Sequence, residues 1–175
     1  MDNLRELCYD LDDMRSVEII TSSSKETKKL GFVLAFTLEK EPINSKQALV
    51  IALKGDLGSG KTTFIQGLAR GLKVKENILS PTFVILKEFP INFSAQGRPT
   101  SGWKNLYHID AYRLKNSEEL LELGFKDLIR NPENLIVIEW ADKVRKILPK
   151  EILKIEFENL GENKRKIVVI YIKKD

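Results

Sequence analysis

Gly55-Asp56-Leu57-Gly58-Ser59-Gly60-Lys61-Thr62 is the stretch that decides the fold. It fits G-x-x-x-x-G-K-[ST], a loop whose glycines let successive backbone N–H groups turn inward toward one anion. Lys61 adds a mobile positive charge for β/γ-phosphates, and the Thr62 hydroxyl is a ligand for Mg²⁺. The residues on either side agree. Ala48–Leu53 is a continuous apolar run, as in a strand buried on both faces. Phe64, Ile65, Leu68, Ala69 and Leu72 recur at helical spacing, with Gly71 near the stop. Strand, glycine loop and helix in this order also aim the partial positive charge of a helix amino end at the anion.

The 175 residues, 42% hydrophobic and 31% charged, fit one globular domain. No run approaches the roughly 18 apolar residues of a membrane helix. The acidic, polar start shows no secretory signal. Cys8, the single cysteine, allows no internal disulfide and supplies no metal cluster. A cytoplasmic protein with no membrane contact is expected. Charge is unevenly placed: residues 1–15 hold five acids and two arginines, a net of −3, so the formal +4 leaves +7 on residues 16–175. That balance permits an anionic partner without requiring one.

Residues 1–15 are expected to be an acidic extension, with Leu4, Leu7, Leu11 and Met14 at the spacing of a short amphipathic helix, and residues 16–175 a single domain. Val17–Ile20 reads as a strand. Ser23 and Glu26 form a capping box for a helix with Leu30, Val33, Leu34 and Leu38 on one face. Pro42, Asn44 and Ser45 mark a connection. Ser80-Pro81-Thr82-Phe83 opens onto a strand over Val84–Phe89 and could sense a terminal phosphate. Pro90–Trp103 reads as a loop, Lys104–Asp110 as a strand, and Asn116 with Glu119 as a second capping box, with Gly124 a stop. A short helical segment follows at Lys126–Arg130. Leu135–Ile138 is another buried strand, closing on Glu139 and Trp140, with a helix over 141–148. Alternation at Leu153, Ile155 and Phe157, a turn at 159–163 and a return over Ile167–Ile172 predict an antiparallel hairpin. The fold class is α/β: a mostly parallel sheet of the P-loop NTPase type, flanked by helices, with a C-terminal antiparallel hairpin.

A phosphate loop needs a further carboxylate to hold Mg²⁺ or its waters. Glu139 ends a wholly apolar strand, and ligands of parallel sheets gather at the carboxyl ends of the strands, which would set it beside Thr62. The other reading of Glu139 is an acid capping the next helix. Asp110 could orient a metal-bound or attacking water. His108, two residues earlier, reads as a satisfied, partly buried histidine rather than a base. No Asn-Lys-x-Asp guanine-reading motif is present, which favours ATP.

Gly-Asp-Leu-Gly-Ser-Gly-Lys-Thr-Thr (55–63), Ser-Pro-Thr-Phe (80–83), His-Ile-Asp-Ala-Tyr-Arg-Leu (108–114) and Ile-Glu-Trp-Ala (138–141), in this order, closely resemble the bacterial TsaE family, ATPases of tRNA threonylcarbamoyladenosine biosynthesis. The likeness runs from about Thr21 to the hairpin. It implies ATP and Mg²⁺ as cofactors, and weak hydrolysis alone. It also implies action with homologues of TsaB and TsaD, reaching tRNA through that complex rather than directly. Carried over, Leu57, Gly58, Ser59, Gly60, Lys61 and Thr62 would bind the triphosphate, with Thr62 and Glu139 on the metal. Thr63, Asp110 and Trp140 would join Lys61 and Glu139 in the hydrolytic site. Ser80 and Thr82 match a switch-like loop, while Ser24 and Arg165 would lie near the adenine. The residues alone leave two alternatives open. One is a small-molecule or nucleoside kinase, with Arg98 and Lys104 near the acceptor; the other is a non-catalytic ATP-binding switch.

Overall fold

The computed structural model describes residues 14–40, 46–80, 84–91 and 102–172. The elements in chain order are β1 (Met14–Thr21), α1 (Ser24–Lys40), β2 (Leu49–Gly55), α2 (Lys61–Gly71), β3 (Leu86–Pro90), β4 (Asn105–Asp110), α3 (Glu118–Glu122), α4 (Phe125–Arg130), β5 (Asn134–Glu139), a 3-10 helix (Ala141–Ile147), β6 (Ile152–Asn159) and β7 (Arg165–Ile172). The strands form one sheet in the order β1-β7-β6-β2-β5-β4-β3. Its four central strands, β6, β2, β5 and β4, run parallel. β7 and β1 extend it antiparallel on one side and β3 on the other. The α/β fold expected from the sequence is therefore present, with one addition. The hairpin is integral to the sheet, because β6 pairs in parallel with β2 while β7 pairs with β1.

Alternate residues of the central strands feed two cores. Leu53, Val137 and Ile155 face α1 and α2 with Phe64 and Leu68. Val50, Ala52, Ile136 and Ile138 face the other way, against Phe125, Leu120 and Val144. Burial on both faces is why β2 and β5 read as unbroken apolar runs. Each fully buried Leu, Ile or Phe contributes about 1.5–3 kcal/mol.

Helix α1 opens as predicted: Glu26 N–H donates to Ser23 Oγ at 3.1 Å, and Glu26 Oε2 accepts from Ser22 N–H at 2.6 Å. Of the expected face, Leu38 is in the core and Leu30 and Leu34 pack against it, but the deepest burial is of smaller residues. Thr27, Gly31, Ala35 and Leu38 are buried, while Leu30, Val33 and Leu34 lie at the margin. The reason is close packing against α2. A Cβ on Gly31 would stand 2.2 Å from Phe64 O, and one on Gly67 only 1.9 Å from Lys28 O.

Three boundaries shift. β3 begins at Leu86, because Ile85 has φ +63° and Leu86 N–H closes a tight turn onto Val84 O at 2.7 Å. The helix expected over 141–148 is a 3-10 helix kinked at Val144. β1 starts at Met14, so residues 14–15 belong to a strand paired with β7. The remainder of the proposed extension, the 42–45 connection, Pro81–Phe83 and most of the Pro90–Trp103 loop lie outside the described residues.

Candidate active site

The carboxyl edge of the parallel strands assembles the site. β4 and β5 run in a register that sets Asp110 opposite Glu139, and β2 places Leu53 opposite Glu139 from the other side. The glycine-rich loop leaves β2 at Gly55 and enters α2 at Lys61. Gly60, immediately before the helix, has φ +102°, a conformation L side chains rarely adopt. A Cβ there would also lie 2.9 Å from Arg165 Nε.

Lys61 is 4% exposed. Its Nζ donates to Gly55 O at 2.7 Å and Asp56 O at 2.8 Å, and lies 4.1 Å from the centre of the Trp140 ring. Burial pushes its pKa below that of an ordinary lysine, against the opposing pull of Glu139, Asp110, Asp56 and Asp142. Thr62, next along the helix, donates its hydroxyl to the Glu139 carboxylate, 2.9 Å from Oε1 and 3.1 Å from Oε2.

Glu139 has a second partner in His108, whose Nε2 stands 2.9 Å from Oε1. An ionised carboxylate only accepts, so Nε2 carries the proton of this bond. Nδ1 is the buried nitrogen without a partner, consistent with that tautomer. Asp110 is held just as firmly: Oδ2 accepts from Ser80 Oγ at 2.8 Å, and Oδ1 from Tyr112 N–H at 3.0 Å. Trp140, at φ +59°, turns the chain out of β5 and packs on Tyr112 with ring centres 5.0 Å apart. Lys143 Nζ donates to Tyr112 O and holds this corner from outside.

A cavity of about 320 Å³ opens among these groups. Leu57, Gly58, Gly60, Lys61, Thr62, Thr63, Asp110, Glu139 and Trp140 line it together with Ser80, so most of the predicted site residues share one space. Three do not line it. The Ser59 hydroxyl is buried beneath the loop with no partner. Ser24 is exposed at the start of α1. Arg165 sits against the outer side of Gly60, where Thr27 of α1 also approaches, so Arg165 and the amino end of α1 flank the loop together. Thr82 and Arg98 lie outside the described residues, and Lys104 pairs with Glu133 at 2.6 Å, at the opposite end of β4.

The residue the sequence reading set aside is His108, fully buried and bonded to Glu139. The signal lay in the spacing: two residues apart on a strand, His108 and Asp110 share a face. Tyr112 was also missed, and it lies in an irregular stretch where no periodicity assigns a direction.

Chemically, the cavity offers a buried ammonium, two carboxylates and the hydroxyls of Thr62, Thr63, Ser80 and Tyr112 beside a glycine turn at a helix amino end. Fold and site thus define an α/β protein with a glycine-rich loop at a helix amino end set against strand-end acids. The model of the family described as threonylcarbamoyl adenosine biosynthesis protein TsaE matches residues 21–167, and the chain belongs to the TsaE family. A tRNA threonylcarbamoyladenosine biosynthesis protein TsaE from Rickettsia felis is 36% identical over 87% of this chain and 78% of its own length. The Bacillus subtilis protein of the same name is 32% identical over 88% and 85%. Among solved structures, that of Bacillus subtilis YdiB superposes with a TM-score of 0.66 at 28% identity, covering 91% of this chain and 87% of the other. Membership carries a role in tRNA threonylcarbamoyladenosine biosynthesis. No helix among the described residues is long and apolar enough to cross a membrane.

Proposed function

We propose that the chain is a magnesium-dependent ATPase of the cytoplasm that supports repeated turnover of a TsaB–TsaD complex modifying the adenosine beside the tRNA anticodon. The observation that carries this reading is the Thr62–Glu139 contact at 2.9 Å, made beside the Lys61 ammonium in one cavity. A hydroxyl and a carboxylate are hard oxygen donors that suit Mg²⁺. Among the described residues no group of three acidic, histidine or cysteine side chains could hold a metal alone. A metal here would therefore draw its other ligands from phosphate oxygens and water, as nucleotide-bound magnesium does.

In this reading the loop N–H groups and Lys61 would bind and orient the phosphate tail, Thr62 and Glu139 would hold the metal, and Asp110 would orient the attacking water. Magnesium, when bound, would supply neutralisation of the phosphate charge. Thr63 and Trp140 close the cavity wall, and Arg165 with Ser24 would border the base. Catalysis is then positioning and charge stabilisation, so a partner that completes the site raises the rate.

Phosphate release should be slow for the chain alone, rise at least tenfold with the TsaB–TsaD homologues and tRNA, and vanish with Lys61→Ala. Full-speed hydrolysis by the isolated chain, unchanged by the pair, would overturn the partnership. Absence of release under every condition would overturn the ATPase reading itself.

A further inference from the structure

A cavity of about 500 Å³ lies on the sheet face away from α1 and α2, between the 3-10 helix and strands β2, β6 and β7. Ala52, Ile152 and Ile172 contribute its apolar floor. Lys54, Arg145, Lys146, Lys150 and Lys154 surround it, against one acid, Asp142. Lys54 and Lys154 share Glu156, at 3.9 Å and 2.7 Å. Arg145, Lys146 and Lys150 have no ion-pair partner among the described residues. Cations converging unpaired on an apolar trough repel one another, and an anionic occupant relieves that repulsion.

The chain supplies such an occupant where it is needed. Met14 pairs with Ile172, a residue of the trough floor, and Ile172 pairs with Ile152. The point at which residues 1–13 are joined to the sheet therefore lies at the mouth of the cavity. They carry Asp2, Glu6, Asp10, Asp12 and Asp13 against Arg5 alone, a net of −4. Covalent geometry keeps Asp10 within about 14 Å of Met14 in any conformation. Leu4, Leu7 and Leu11 recur at spacings that would match the apolar floor.

We propose that residues 1–13 dock along this groove of their own chain, with carboxylates against Arg145, Lys146 and Lys150 and leucines against the floor. Tethering gives the segment an effective concentration in the millimolar range, so modest contacts suffice to hold it. Docking also withdraws this basic trough from phosphate polymers.

Cys8, the only cysteine, permits a nitroxide label within the segment of the full chain. Amide signals of residues 145–150 and of Ile172 should broaden at low salt. They should recover at about 1 M salt, where the screening length falls to about 3 Å. The broadening should survive tenfold dilution and disappear with Arg145, Lys146 and Lys150 each changed to Glu. If that variant fails to fold, Asp10→Asn, Asp12→Asn and Asp13→Asn in one chain read the same contact from the other side. Removing residues 1–13 should raise affinity for polyuridylate about tenfold. Broadening on the α1–α2 face, none at all, loss on dilution (docking onto a second copy), or polyuridylate affinity unaffected by the truncation would each overturn the proposal.

Discussion

Lys61 is the residue in which stability and the proposed activity pull in opposite directions. Its ammonium is buried, and the depressed pKa says that the folded chain disfavours its charged form. Lys61→Met is therefore expected to stabilise the nucleotide-free protein, by about 1 kcal/mol on the scale of other buried-ion replacements, while abolishing ATP binding. The sign with pH follows. The unfolded lysine keeps its proton up to the ordinary value of 10.5, whereas the folded one releases it earlier. The penalty is thus complete below the folded pKa and fades as pH rises from there toward 10.5, so the Tm gap between the two proteins should narrow over that range. Denaturation monitored at a series of pH values checks both. His108 makes a second residue-scale prediction. Replacing it with Phe strips a buried carboxylate of a hydrogen bond and should lower stability by about 1–3 kcal/mol. It should also weaken Mg²⁺-dependent nucleotide binding more than metal-free binding, which titration with and without the metal distinguishes. Lys61, Thr62 and Glu139 were legible because motif and strand-end position both point to them. His108 was not, since a lone histidine in an apolar strand looks the same whether it fills a core or steadies an acid.

At the scale of elements, the α1–α2 crossing depends on glycines that do no visible work in the sequence. Gly67→Ala would drive a methyl against Lys28 O, a backbone atom that cannot move aside, and the expected loss is about 3 kcal/mol or more. Gly58→Ala is the contrast in space, though not in backbone conformation, since nothing lies within 4 Å of its added Cβ. Urea unfolding of Gly67→Ala checks the prediction, and a change below 1 kcal/mol would mean the helices separate easily. Hydrophobic periodicity nominated the Leu30 and Leu34 side of α1 because it counts apolar bulk. The observed contact is chosen by how closely two backbones can approach. The same limitation explains β3, whose apolar start at Val84 and Ile85 belongs to a turn.

For the whole molecule, the order of the strands was beyond the reach of sequence pattern. The hairpin was visible as alternation, but nothing local says that β6 pairs with β2 or that β1 pairs with β7. The arrangement brings the hairpin to the loop through Phe157 and Arg165. Nucleotide binding should consequently stabilise the sheet as a unit. At a hundredfold excess over Kd, an ATP analogue with Mg²⁺ should add about 2.7 kcal/mol, raising Tm by about 5–10 °C in a single transition. A separate, unshifted transition for the hairpin in calorimetry would contradict this. The β1–β7 pairing has a further consequence for how the sheet closes. Among the described strands β1 pairs only with β7, so that edge of the sheet closes through contacts such as Thr21 with Arg165, far apart along the chain, and long-range pairing of this kind slows folding.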